Sequence, residues 1–154
     1  VMQQRFEQTD DPLAVLILNL MMEGIADQIN KTEPPLEKLG SYPQEIVTMY
    51  NAAYAMTPRV LSALDATVSA YVRGELTDEA YEKVAHAADG HMNGFYIANA
   101  IRRRFGLDRL IEVSTDPAAY FACYNEAVAQ DKDEHTFSAE FLARTAEVFP
   151  RFAN

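Results

Sequence analysis

Apolar residues recur along this 154-residue chain every three to four positions, and nowhere is there a sustained alternation of period two. That pattern belongs to helices packed on a core rather than to half-buried strands. A first helix is expected from about Asp11 to Asn30, with Asp11 suited to cap it and Pro12 to its first position. KTEPPLEKLGSYP, residues 31–43, carries Pro34, Pro35, Gly40 and Pro43 and reads as a loop. A second helix follows over about 43–56. Thr57-Pro58 then reads as a cap and a first-turn proline that restart the chain as a separate helix running to Gly74. TDEAYEKVAHAAD, from Thr77, is a short amphipathic helix with Asp78 and Glu79 favourably placed in its first turn. Gly90 opens a helix over about His91–Phe105, Gly106 closes it, and Leu107–Val113 adds one or two turns. Asp116 and Pro117 start the next helix, DKDEHT is a polar loop, and Ser138 caps a last helix to about Phe149. The expected fold is all-α, a single domain built as an irregular multi-helix bundle of about seven or eight helices.

The first helix contains an inconsistency. LAVLILNLMM is apolar except for Asn19, as suits a core helix, yet Glu23 and Asp27 follow one turn apart. Asn19, Glu23 and Asp27 share one i, i+4, i+8 line. Like charges at that spacing repel unless a cation sits between or beyond them. Either the line is the solvent-facing edge of the helix, or it faces an internal site. In the second case Glu23 can ligate a metal and Asp27 can orient a neighbouring ligand. Zinc accepts a carboxylate oxygen, and a zinc-bound histidine commonly donates its other N–H to a carboxylate.

Composition narrows the choices. Apolar residues make up 49% and charged residues 23%, ordinary for a globular domain. The formal net charge of −10 opposes binding to a nucleic acid backbone. Arg102, Arg103 and Arg104 point in three directions from a helix end and complement its dipole. The longest apolar run is roughly half of what a membrane span needs, so no span is expected. Cys123 is alone and reads as a small buried residue. The chain starts Val1-Met2, without a secretory leader pattern, and is expected to be the C-terminal portion of a longer protein. Neither a phosphate-binding glycine loop nor a serine nucleophile motif occurs.

Glu23-Gly24-Ile25-Ala26-Asp27 resembles the third-ligand helix of gluzincin metallopeptidases. GHMNGFYIANAIRRRFGLDRL, residues 90–110, and DPAAYFACYNEA, residues 116–127, follow in an order and spacing similar to the C-terminal part of a bacterial family of such zinc-dependent peptidases. The resemblance spans roughly residues 15–130. It implies Glu23 as third zinc ligand, Asp27 supporting a zinc-binding histidine, zinc as cofactor and a peptide or protein as substrate. It also implies an HExxH motif, which supplies two ligands and the general base. This chain has none: His86, His91 and His135 lack a second histidine four residues away. Either the motif lies upstream, in polypeptide outside this chain, where the order of the family's motifs puts it, or the site is degenerate; the chain alone is expected to be inactive.

A peptidase also needs a donor for the developing oxyanion. His91 and Tyr96, in HMNGFY, are the candidates, and the residues do not decide between them. Gly90 and Gly94 would let this backbone approach something closely. His86 is expected on a helix surface, His135 in a solvated loop, and Tyr120, Phe121 and Tyr124 in the core. Asn125 could hydrogen-bond near a cleft. The rival reading is an acidic helical binding or assembly module without enzymatic activity, its carboxylate line facing solvent or a partner.

Overall fold

A computed structural model describes residues 11–31, 33–87 and 90–149, with residues 30 and 85–87 described as backbone only. Among the described residues there are seven helices and no strand: α1 Pro12–Asn30, α2 Gln44–Val72, α3 Asp78–Ala87, α4 Gly90–Phe105, α5 Leu107–Val113, α6 Pro117–Val128 and α7 Ala139–Val148. The helix starts follow the local chemistry. The Asp11 carboxylate accepts from the Leu13 amide at 2.9 Å, Asp116 from Ala119 at 3.1 Å and the Ser138 hydroxyl from Phe141 at 3.1 Å. Gly106 ends α4 with a φ of 89°, a conformation that favours glycine.

The break expected at Thr57-Pro58 does not occur. α2 continues through it for 29 residues. The Thr57 hydroxyl donates back to the Ala53 carbonyl at 3.4 Å, so it serves the preceding turn instead of capping a new one. Pro58 still forfeits its own amide bond. The buried face of Val47, Thr57, Leu61, Leu64 and Val68 spans the proline, and burying that face holds the helix together.

The centre of the fold is the α1–α4 pair. Asn19 lies against Gly90, and Arg102 donates to the Gln28 carbonyl at 3.3 Å, so the two helices run in the same direction. At their closest approach the backbones touch. A Cβ on Gly24 would lie 2.2 Å from the Gly94 carbonyl oxygen, and one on Gly94 would lie 2.2 Å from that of Leu20. Leu13, Ile17, Leu20 and Met21 of α1 and Ile97 and Ile101 of α4 are buried around this contact. Tyr120, Phe121 and Tyr124 of α6 are buried as expected; Phe121 packs with Tyr120, Phe137 and Phe141, and Tyr124 with Phe137. Cys123 is buried and free.

α1 is more apolar than its longest uninterrupted run suggests. The window Pro12–Ile29 has a mean hydropathy of 1.4 and is long and apolar enough to cross a membrane. Half of that window is buried inside the fold, the condition of a core helix.

Two polar residues of the last third also depart from expectation. His135 is not solvated: its side chain is 19% exposed, and its Nε2 lies 3.0 Å from Asp65 Oδ2. Asp65, buried on α2, also accepts from the Ser138 amide at 2.9 Å and from the Ser138 hydroxyl at 2.6 Å. Asn125 clamps the backbone N–H and C=O of Phe137, each at 2.8 Å, rather than reaching a cleft. The loop before α7 is thereby tied to α2 and α6. Asp65→Asn turns an all-acceptor carboxylate into a group with its own N–H donors facing Ser138. It should cost about 1–3 kcal/mol, measured as a lower urea midpoint at unchanged slope.

Candidate metal centre

The i, i+4 line on α1 extends one step further than Asp27. Lys31 Nζ sits 2.6 Å from Asp27 Oδ2. From across the helix pair, His91 Nδ1 lies 3.1 Å from Glu23 Oε2 and 3.5 Å from Asp27 Oδ2. The two carboxylates are thus met by a lysine beyond them, whose charge offsets part of their repulsion, and by an imidazole between them.

The glycines put His91 there. Gly90 rests on Asn19 and Gly94 on Gly24 and Leu20, so the first turn of α4 overlies the Glu23–Asp27 turn of α1. The site opens outward. The His91 and Glu23 side chains are 60% and 42% exposed, whereas that of Asp27 is 13% exposed and forms the floor. Tyr50 of α2 is close enough to Asp27 for its hydroxyl to feel that charge. Its hydroxyl is buried without a hydrogen-bond partner among the described residues. Burial first, and then the charge of Asp27, raises its pKa above the ordinary tyrosine value. No local pattern singles out Tyr50 in the sequence; it is one of several tyrosines on an amphipathic helix.

Tyr96 belongs to a different neighbourhood. It lies five residues beyond His91, about 140° around the helix. Its ring packs on Tyr54 at 4.7 Å and its hydroxyl donates to the Glu134 carboxylate. Burial and that carboxylate push its pKa far up, which keeps the phenol neutral. Of the sequence-predicted site residues, Glu23, Asp27 and His91 come together and Tyr96 does not join them. The His86 side chain lies outside the described residues.

One family of proteins, described as "Putative zinc dependent peptidase (DUF5700)", matches residues 2–133 of the chain. The chain belongs to this family. No curated protein and no solved structure matches it. The matched span takes in Glu23, Asp27, His91 and Tyr96 and ends before α7.

Zinc dependence in the family's description invites a test of the donor set. Glu23 oxygen and His91 nitrogen are both zinc-ligand types. Their 3.1 Å separation approaches the roughly 3.3 Å between two ligands on one tetrahedral zinc with bonds of about 2.0 Å. Asp27, however, is engaged by Lys31. Among the described residues, no group of three or more His, Cys, Asp and Glu side chains could hold a metal ion. A catalytic zinc takes three protein ligands. The donors fit zinc in kind and fall short in number.

Proposed function

We propose that this chain is the C-terminal helical part of a gluzincin-like zinc peptidase. In this reading it supplies Glu23 as the third metal ligand and Asp27 as the carboxylate that orients a metal-bound histidine. The convergence of Glu23, Asp27 and His91 across the α1–α4 contact carries this reading. Two histidine ligands and the general-base glutamate come from an HExxH helix in polypeptide outside this chain. The flank of the site supports such packing. Val15, Met22 and Ile29, seven residues apart on α1, are 42%, 51% and 87% exposed beside the carboxylate line. That is an apolar strip on the outer side of a helix whose inner faces are buried.

Zinc, when bound, supplies Lewis acidity toward the peptide carbonyl and toward water. The chain's own residues do the rest of what can be assigned to it. Glu23 would bring negative charge and a carboxylate oxygen to the metal. Asp27, buried and anchored by Lys31, holds the N–H of a neighbouring imidazole. His91, at the open rim, donates to the substrate oxygen as charge develops there. His91 is chosen over Tyr96 because it stands beside Glu23 and Asp27, whereas Tyr96 lies in another neighbourhood against Glu134.

The competing reading treats the line as a salt-bridged surface of a non-enzymatic acidic module, and the close Asp27–Lys31 pair favours it. Asp27→Asn in the full-length protein separates the two. A supporting carboxylate lost from a zinc site lowers metal affinity by about 10–100-fold, read by competition with a chelating dye. On the scaffold reading the same change only removes the partner of Lys31, so it lowers stability and leaves metal content untouched.

A further inference from the structure

A second site lies on the far face of α4. A cleft of about 340 Å³ opens between α2, α4, α6 and the two loops that hold Glu33 and Glu134. That volume is within the range of about 300–1,000 Å³ typical of small-ligand pockets. Its walls carry both charge signs, and the pairing among them decides what it can hold.

The cation on one wall is already compensated. Arg103 pairs with Glu33, and Glu33 also accepts from the Tyr54 hydroxyl at 3.3 Å. Arg104 stands at the exposed mouth. The acidic wall is incompletely used. Glu134 accepts from Tyr96 through Oε1, while its Oε2 is out of solvent contact and has no hydrogen-bond partner among the described residues. The hydroxyl of the fully buried Tyr124 also lacks a partner there, and the Glu134 charge raises its pKa after burial does. Asp131 adds a carboxylate from the same turn, its carbonyl accepting from the Glu134 amide at 3.4 Å. Burying a carboxylate oxygen without a donor is costly, and a cation in the cleft beside Glu134 offsets that charge. The floor is aromatic, with Tyr54 and Tyr96 tilted at 54° to one another, a surface that attracts cations. Glu134 is also held in place: its neighbour His135 is fastened to Asp65, and Phe137 is clamped by Asn125.

We propose that this cleft binds a cationic side chain, a guanidinium or an ammonium, with Glu134 as its principal partner and Asp131 as a second. Identifying the carrier as a basic residue of a peptide rests on the peptidase reading; the selectivity for a cation does not. The test uses the isotope-labelled chain without any metal. Nα-acetyl-arginine amide is titrated against its neutral isostere Nα-acetyl-citrulline amide and against the anion N-acetyl-glutamate, with backbone amide shifts as the readout. The expected result is saturable shifts around residues 96, 131 and 134 with the arginine probe. Citrulline should bind at least about tenfold more weakly, because a charge-assisted bond is lost. Glu134→Gln, which keeps an acceptor for Tyr96, should weaken the arginine probe by a similar factor at an unchanged melting temperature. Equal binding of arginine and citrulline, preference for the anion, or no saturable shift in the cleft would overturn the proposal. The probe comparison needs no variant, so a folding defect in Glu134→Gln cannot obscure it. Failure here leaves the zinc reading standing, and a protein that binds no zinc can still pass this test.

Discussion

Gly94→Ala will cost the protein at least about 3 kcal/mol of stability and lower its melting temperature by roughly 6–12 °C. The added Cβ would sit 2.2 Å from the Leu20 carbonyl oxygen, 3.0 Å from the Gly24 nitrogen and 3.1 Å from the Leu20 carbonyl carbon. All three are backbone atoms of α1, so no side-chain rotation relieves the clash, and the two helices must separate. Separation loosens the core around Ile17, Leu20 and Ile97 and withdraws His91 from Glu23. Gly106→Ala is the informative control. Nothing lies within 4 Å of its Cβ position, so its cost is confined to backbone strain at φ 89° and ψ 172°, about 1–3 kcal/mol, and the α1–α4 contact should stay intact. A Gly94→Ala variant that melts no lower than the unsubstituted protein would mean that α1 and α4 do not meet at Gly24 and Gly94.

Glu23→Ala in the full-length protein should abolish tight zinc binding. Removing a carboxylate that merely supports a ligand costs about 10–100-fold in affinity, and removing the ligand itself should cost at least as much. Peptide hydrolysis should fall with the metal. The metal-free fold should hardly notice, because a side chain 42% exposed contributes only about 0.5 kcal/mol at a surface position. Zinc titration and thermal melts on the same preparation separate the two effects. Full zinc occupancy and full activity in the variant would remove Glu23 from the metal site. Glu23→Gln sharpens the comparison, since it keeps the shape and loses the charge.

These two residues differ in how far the sequence alone could take them. The i, i+4 spacing already puts Glu23 and Asp27 on one line of a helix, because that follows from 3.6 residues per turn and needs no tertiary contact. Likewise Asp11, Asp116 and Ser138 cap their helices through bonds to amides two or three residues away, inside a single turn. What the carboxylates face was not legible. The approach of His91 depends on how α4 lies along α1, and that register is set where Gly24 meets Gly94, seventy residues apart in the chain. Glycines at those two positions permit a close approach without naming the partner.

The same division explains the departures. Thr57-Pro58 carries a correct local signal for a helix start, overruled by a buried face that runs from Val47 to Ser69. His135 stands in a run of polar residues that reads as solvated, and only the packing of its loop on α2 brings Asp65 to it. Tyr96 and His91 are near neighbours in sequence, yet the helix turns them to opposite neighbourhoods. The sequence by itself determined the helical segments apart from the join at Thr57-Pro58, the caps at Asp11, Asp116 and Ser138 and the carboxylate line, since each rests on interactions within a turn or two. The tertiary structure alone decided which side chains meet Glu23 and which meet Tyr96, because those partners are selected by the burial of whole helix faces.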